Sequence, residues 1–179
     1  MIRWIARRYI DAFAERYDYE PAYMHAMLRE APEAFFKFAR AADASRHRRA
    51  APVEAIFAVK LVGTSAEDCG PCTQLVVNMA REAGIDETQI AAILEGDEAA
   101  MNPGAALGFR FADATVRGGE NDAARDAVRA AWGERGVIEL SMALALTRIF
   151  PMLKAGMGYH KECRRVRVGA RDVAVTHAA

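Results

Sequence analysis

The segment from Pro52 to Val62 spreads Val53, Ile56, Phe57, Val59 and Leu61 around most of the circumference of one helix, with Glu54 near its start. A helix that is apolar on nearly every side has to be enclosed by other elements rather than laid on a surface. The flanking sequence supplies helices to enclose it. Ile2, Ile5, Tyr9, Phe13 and Tyr17 recur at helical spacing over residues 2–17, with Arg3, Arg7, Asp11 and Glu15 elsewhere around the wheel. A shorter apolar stretch runs from Pro21 to Leu28, and Pro32 opens a further helix carrying Phe35, Phe36 and Phe38. Leu75, Val76, Met79 and Ala83 continue the period up to Gly84. More helices are expected at 87–95, 104–117, 121–131, 134–149 and 151–160, separated by Gly96, Pro103, Gly118-Gly119, Gly133 and Pro151.

Alternating β-branched tracts are nearly absent before residue 164, so the expected class is all-α, a multi-helix bundle of about eight or nine helices in a single domain. Residues 1–50 form its N-terminal helical extension and 52–160 its core. In the tail, 164–179, Val166, Val168, Val173 and Val175 alternate with polar residues, as a short extended segment or a frayed end would.

Twenty-four Lys and Arg balance 24 Asp and Glu, so no net field favours nucleic acid or an anionic membrane. Three cysteines are too few for a secreted disulfide framework, which points to a reducing cytoplasm. The first residues mix arginine among apolar side chains, unlike a signal peptide. The most apolar window, Ile138 to Met157, carries Glu139, Arg148, Lys154 and Pro151, and reads as a buried helix rather than a membrane span. The basic run Arg46-His47-Arg48-Arg49 reads as a solvated connection.

Chemistry concentrates at Asp68-Cys69-Gly70-Pro71-Cys72, where a helix begins. Positions three apart share a helical face, so Cys69 at the cap and Cys72 in the first turn can come within disulfide range. Pro71 suits a first turn, and Gly70 allows close backbone approach. Free amides and the positive end of the helix dipole favour a thiolate there, while Glu67 and Asp68 oppose it. The motif supports a redox pair, half of a zinc site completed by His160 and Cys163, or two inert buried cysteines. Glu54 reads either as a solvent-facing charge at a helix start or as an inward proton acceptor. Gln74 and Asn78, four apart, can bond each other or a ligand. Met79, Met101, Met142, Met152 and Met157 read as core filling. No nucleotide loop, triad spacing or complete metal signature occurs, so no cofactor is expected.

Val53-Glu54-Ala55-Ile56-Phe57-Ala58-Val59-Lys60-Leu61-Val62 followed by Asp68-Cys69-Gly70-Pro71-Cys72-Thr73-Gln74-Leu75-Val76-Val77 resembles the Cys-x-x-Cys branch of the alkylhydroperoxidase D-like, carboxymuconolactone decarboxylase superfamily. The likeness covers mainly residues 52–95. It implies an all-helical core, a redox-active Cys69–Cys72 pair, and thiol–disulfide oxidoreductase activity that extends to hydroperoxides. It further implies regeneration by an external dithiol carrier or small thiol, and a symmetric dimer, trimer or hexamer. The resemblance makes Cys72 the attacking thiol, whereas the helix-cap reasoning favours Cys69. Glu54 is the implied proton-relay glutamate, although it precedes Cys69 by fifteen residues, a longer interval than the family's, and Glu67 is a substitute. Val76 stands where the family carries its relay histidine, so proton delivery needs another donor. The alternative is a non-catalytic helical protein with structural or zinc-binding cysteines.

Overall fold

The computed structural model describes residues 2–118, 121–161 and 165–175. Eight α-helices occur among them: α1 Ile2–Tyr17, α2 Ala22–Glu30, α3 Pro32–Ala44, α4 Val53–Ser65, α5 Gly70–Glu82, α6 Glu87–Glu95, α7 Pro103–Val116 and α8 Asp122–Gly156. A 3-10 turn, Glu98–Ala100, leads into α7, and two strands, β1 Arg165–Val168 and β2 Arg171–Ala174, close the described chain. The protein is an all-α single domain of about eight helices.

Helix α4 is central, as its all-round apolar surface requires: α5, α6, α7 and α8 all pack on it. Its closest neighbour is α7, where Gly108 lies so near Ala55 that a Cβ at 108 would stand 2.5 Å from the Ala55 carbonyl oxygen. One side of α4 (Ala58, Leu61) joins α5, α6 and the hairpin in a core with Val77 and Ile90; the other (Ile56, Val59) meets Phe111, Leu140 and Leu144. A third, aromatic core gathers Ile10, Tyr19, Tyr23, Met27 and Phe35 of the N-terminal segments against Leu75 of α5, Leu153 of α8 and Met157 just past the end of α8.

Of the two breaks expected in the last long helix, one is present and one is not. Gly133 does interrupt α8, with φ 68° and ψ −176°, a conformation open to glycine alone. Pro151 does not: the helix runs through it to Gly156. Proline forfeits one helical hydrogen bond, but Phe150 packs on Phe38 at 4.9 Å and Leu153 enters the aromatic core, so tertiary contacts carry the helix onward. The tail residues 165–174 form an antiparallel hairpin, with Val166 opposite Val173 and Gly169, at φ 60°, in its two-residue turn. Val166, Val168, Val173 and Val175 are buried in the α5–α6 core.

By length and composition, α8 is apolar enough to cross a membrane. Its three charges in the apolar window nevertheless all find partners within the protein. The Glu139 carboxylate accepts backbone N–H bonds from Arg49, Ala50 and Ala51 at 2.5–2.9 Å. Arg148 pairs with Glu67 at 2.5 Å, and Lys154 meets Tyr19 at 3.2 Å.

Candidate functional site

Asp68 turns the chain with φ 49°, a left-handed conformation that Asp tolerates better than most residues, and delivers Cys69 in extended conformation to the N-cap of α5. The Cys69 carbonyl accepts the first helical bond from the Thr73 N–H at 2.9 Å and a second from the Thr73 hydroxyl at 3.2 Å. Gly70 and Pro71 open the helix, which puts Cys72 one turn on, beside Cys69. Both cysteines are reduced, and both are buried, at 1% and 4% exposure.

The two thiols are strongly inequivalent. Cys69 is lowered to about 6, chiefly because the Cys72 thiol hydrogen-bonds its sulfur; burial opposes this, and the nearby Cys72 backbone N–H and the charges of Lys154 and His160 reinforce it. Cys72 is pushed well above the ordinary thiol range by the same shared hydrogen bond, by burial and by the Cys69 charge. Both directions favour the charge on Cys69 and the shared proton on Cys72.

The polar groups facing the pair come from distant parts of the chain. Tyr19, between α1 and α2, is close enough to Cys72 and Tyr23 for its phenol to act on the ionisation of both. The Lys154 ammonium donates to the Tyr19 oxygen and lies over the rings of Tyr19 and Tyr23, 4.8 and 5.5 Å from their centroids. Lys154 is 2% exposed, and Tyr19 and Tyr23 are 7% and 4% exposed. Burial is the main reason both phenols are held far above the ordinary tyrosine range, so both remain protonated donors. Tyr19 is fixed from behind: its N–H bonds the Ala14 carbonyl at 2.9 Å, and Asn78 donates to the Tyr17 carbonyl at 2.9 Å. Gln74 bonds Asn78 at 3.1 Å and clasps both backbone groups of Arg167, at 2.9 and 2.7 Å. These two amides therefore brace the site's surroundings.

The carboxylates lie elsewhere. Glu54 occupies the first turn of α4, whereas the thiols follow that helix's last turn; the eleven residues from Glu54 to Ser65 span ~16 Å along the axis. Glu67 is two residues from Cys69, but its carboxylate is engaged by Arg148 and its carbonyl lies 3.3 Å from His160 Nε2. Val76, at the position of the expected relay histidine, is a buried core residue.

Among the described residues no group of three His, Cys, Asp or Glu side chains could hold a metal ion. Cys163, the fourth member of the expected zinc set, lies outside the described residues. Sequence alone does not mark Tyr19, Tyr23 and Lys154 as neighbours of the thiols. Their signals were a tyrosine pair four apart and a lysine on the apolar C-terminal arm of α8. No family model matches this chain, and neither the curated proteins nor the solved structures compared with it give a match.

Proposed function

We propose that the protein is a thiol–disulfide oxidoreductase in which Cys69 and Cys72 alternate between dithiol and disulfide, with Cys69 attacking and Cys72 resolving. The observation that carries this is the polarised pair itself: a helix-cap thiol favoured as the thiolate at neutral pH, hydrogen-bonded by the thiol that would close the disulfide. Stabilising the thiolate stabilises the reduced form, which makes the pair an oxidant relative to ordinary thiols. With a hydroperoxide substrate, Cys69 would become a sulfenic acid and Cys72 would displace hydroxide from it. A dithiol protein or small thiol would then restore the pair. Tyr19 and Lys154 stand beside the pair where Val76 offers no proton, so they replace Glu54 and Glu67 as the favoured proton partners.

Equilibration in glutathione redox buffers, followed by alkylation and mass spectrometry, tests the redox step. A Cys69–Cys72 disulfide that forms and reopens reversibly is expected; a pair that stays reduced under oxidising buffers refutes the proposal. Consumption of cumene hydroperoxide coupled to a dithiol, lost in Cys69→Ser and Cys72→Ser, tests the peroxidase branch. The near-complete burial of both thiols favours a second reading, in which they are structural. Tightly bound zinc in the purified protein would support the zinc form of that reading.

A further inference from the structure

We propose that Lys154 is the proton store of the thiol pair and Tyr19 the carrier between them, so that the site holds two electrons and two protons as an electroneutral set. The inference rests on the dithiol reading above and gives each of its two proton partners a distinct role.

Lys154 is among the most buried side chains in the molecule, and among the described residues no carboxylate bonds it; its contacts are a phenol oxygen and two ring faces. A buried ammonium needs a counter-charge. The groups it interacts with are Tyr19 and Tyr23 from the N-terminal segment, Cys69 at the N-cap of α5 and Cys72 in its first turn; both phenols are neutral, which leaves the Cys69 thiolate as its anion. His160 also acts on Cys69, Asp68 precedes it in the chain, and Glu67 is taken by Arg148. Disulfide formation consumes the thiolate, and the ammonium is then stranded in an apolar core unless it gives up its proton.

The stoichiometry closes on that proton. The Cys69 thiolate attacks the distal oxygen of a hydroperoxide, the O–O bond breaks, and the departing alkoxide takes a proton from Tyr19, which Lys154 replenishes. The Cys72 sulfur then attacks the sulfenic sulfur of Cys69. Hydroxide leaves, and the Cys72 proton converts it to water. One thiolate, one thiol, one ammonium and one hydroperoxide become one disulfide, one amine, one alcohol and one water. The sulfurs lose two electrons, the peroxide gains two, and the site is neutral before and after.

Reduction of the oxidised protein by dithiothreitol at pH 7 in weak buffer, with a pH indicator and thiolate absorbance near 240 nm read together, tests this. The expected result is no proton released per thiolate formed in the wild type, because the proton leaving dithiothreitol is retained on Lys154. One proton released per thiolate overturns the proposal while leaving the dithiol reading intact. Absence of a reducible disulfide instead refutes the dithiol reading. Lys154→Met should release one proton per thiolate, and if it does not fold the wild-type count alone decides. Tyr19→Phe should keep the wild-type count but slow disulfide opening at least tenfold; a rate within twofold of wild type removes Tyr19 as the carrier.

Discussion

Tyr19 and Lys154 lie 135 residues apart in sequence yet meet in the core, with the lysine Nζ 3.2 Å from the phenol oxygen, and both act on the ionisation of Cys72. The contact ties the N-terminal helices to the far end of α8 across the thiol pair. It brings a cation and a proton donor to a place where local sequence supplies neither.

The ionisation of Cys69 follows from this surrounding. Its thiolate absorbance should titrate with a midpoint near pH 6 in the reduced protein. Cys72→Ala removes the largest stabilising influence and should move that midpoint upward, toward the ordinary thiol range near 8.5. The sign for stability is that of a lowered acid. The contribution to the reduced fold is fully present above the unfolded thiol value and is lost as pH falls through about 6. A midpoint above 8 in the wild type would contradict the polarised pair.

Glu139 gives a second pH-dependent contribution, from a structural carboxylate. Burial at 2% exposure opposes its charge, but the N–H groups of Ala51, Ala50 and Arg49, with His47 at 3.9 Å, outweigh that and hold it below the ordinary carboxylate range. Its stabilising contribution is therefore complete above the unfolded value of about 4.3 and disappears as pH falls through the lower folded value. Glu139→Gln turns an N–H donor toward backbone donors, and should cost about 2–3 kcal/mol in urea unfolding at pH 7. The difference from wild type should shrink as pH falls through that lowered folded value, where the wild-type carboxylate itself takes up a proton.

Much of the fold was legible because helical period is a local property. The positions of α1, α4, α5 and α6 follow from apolar spacing, and the Cys69 cap follows from Gly70-Pro71 opening a helix. The hairpin was half legible: four alternating valines announced an extended segment, but only the α5–α6 core to which they attach makes it ordered. Pro151 reads as a break because sequence shows only a proline's local cost, whereas the contacts of Phe150 and Leu153 that carry the helix through it are tertiary. Glu54 is a candidate through the family resemblance and through its place on the apolar helix that precedes the thiols. The apolar pattern ended at Val62, whereas α4 continues to Ser65, and the glutamate sits at the opposite end. In the sequence Lys154 is only a charge that argues against a membrane span. Its partnership with Tyr19 is a tertiary fact that no spacing encodes.

The α4–α7 contact offers a test of close packing. At Gly108 an added Cβ would meet the Ala55 carbonyl oxygen at 2.5 Å and its Cα at 2.8 Å, and backbone cannot swing aside as a side chain can. Alanine ordinarily favours a helix over glycine by up to about 1 kcal/mol. Here overpacking should reverse the sign, so that Gly108→Ala destabilises by about 1–3 kcal/mol in thermal or urea unfolding. Gly156→Ala, where nothing lies within 4 Å of the new Cβ, is the control and should be neutral or slightly stabilising.

Helix α1 turns one apolar stripe into the aromatic core through Ala6 and Ile10, and a second outward. Ile2, Trp4, Ile5 and Tyr9 are 54–64% exposed in the single chain, a patch of the kind that marks an interaction surface. The symmetric oligomer implied by the family resemblance would cover it with a second copy. Light scattering after gel filtration should then give a multiple of the 19.6 kDa chain mass. Trp4→Glu combined with Tyr9→Glu should bring the mass down to that of one chain, because charges facing each other across a buried apolar contact are strongly unfavourable. Circular dichroism should stay unchanged, since neither residue belongs to the buried core. A wild-type protein that already runs as a single chain would show that a second copy does not cover this face.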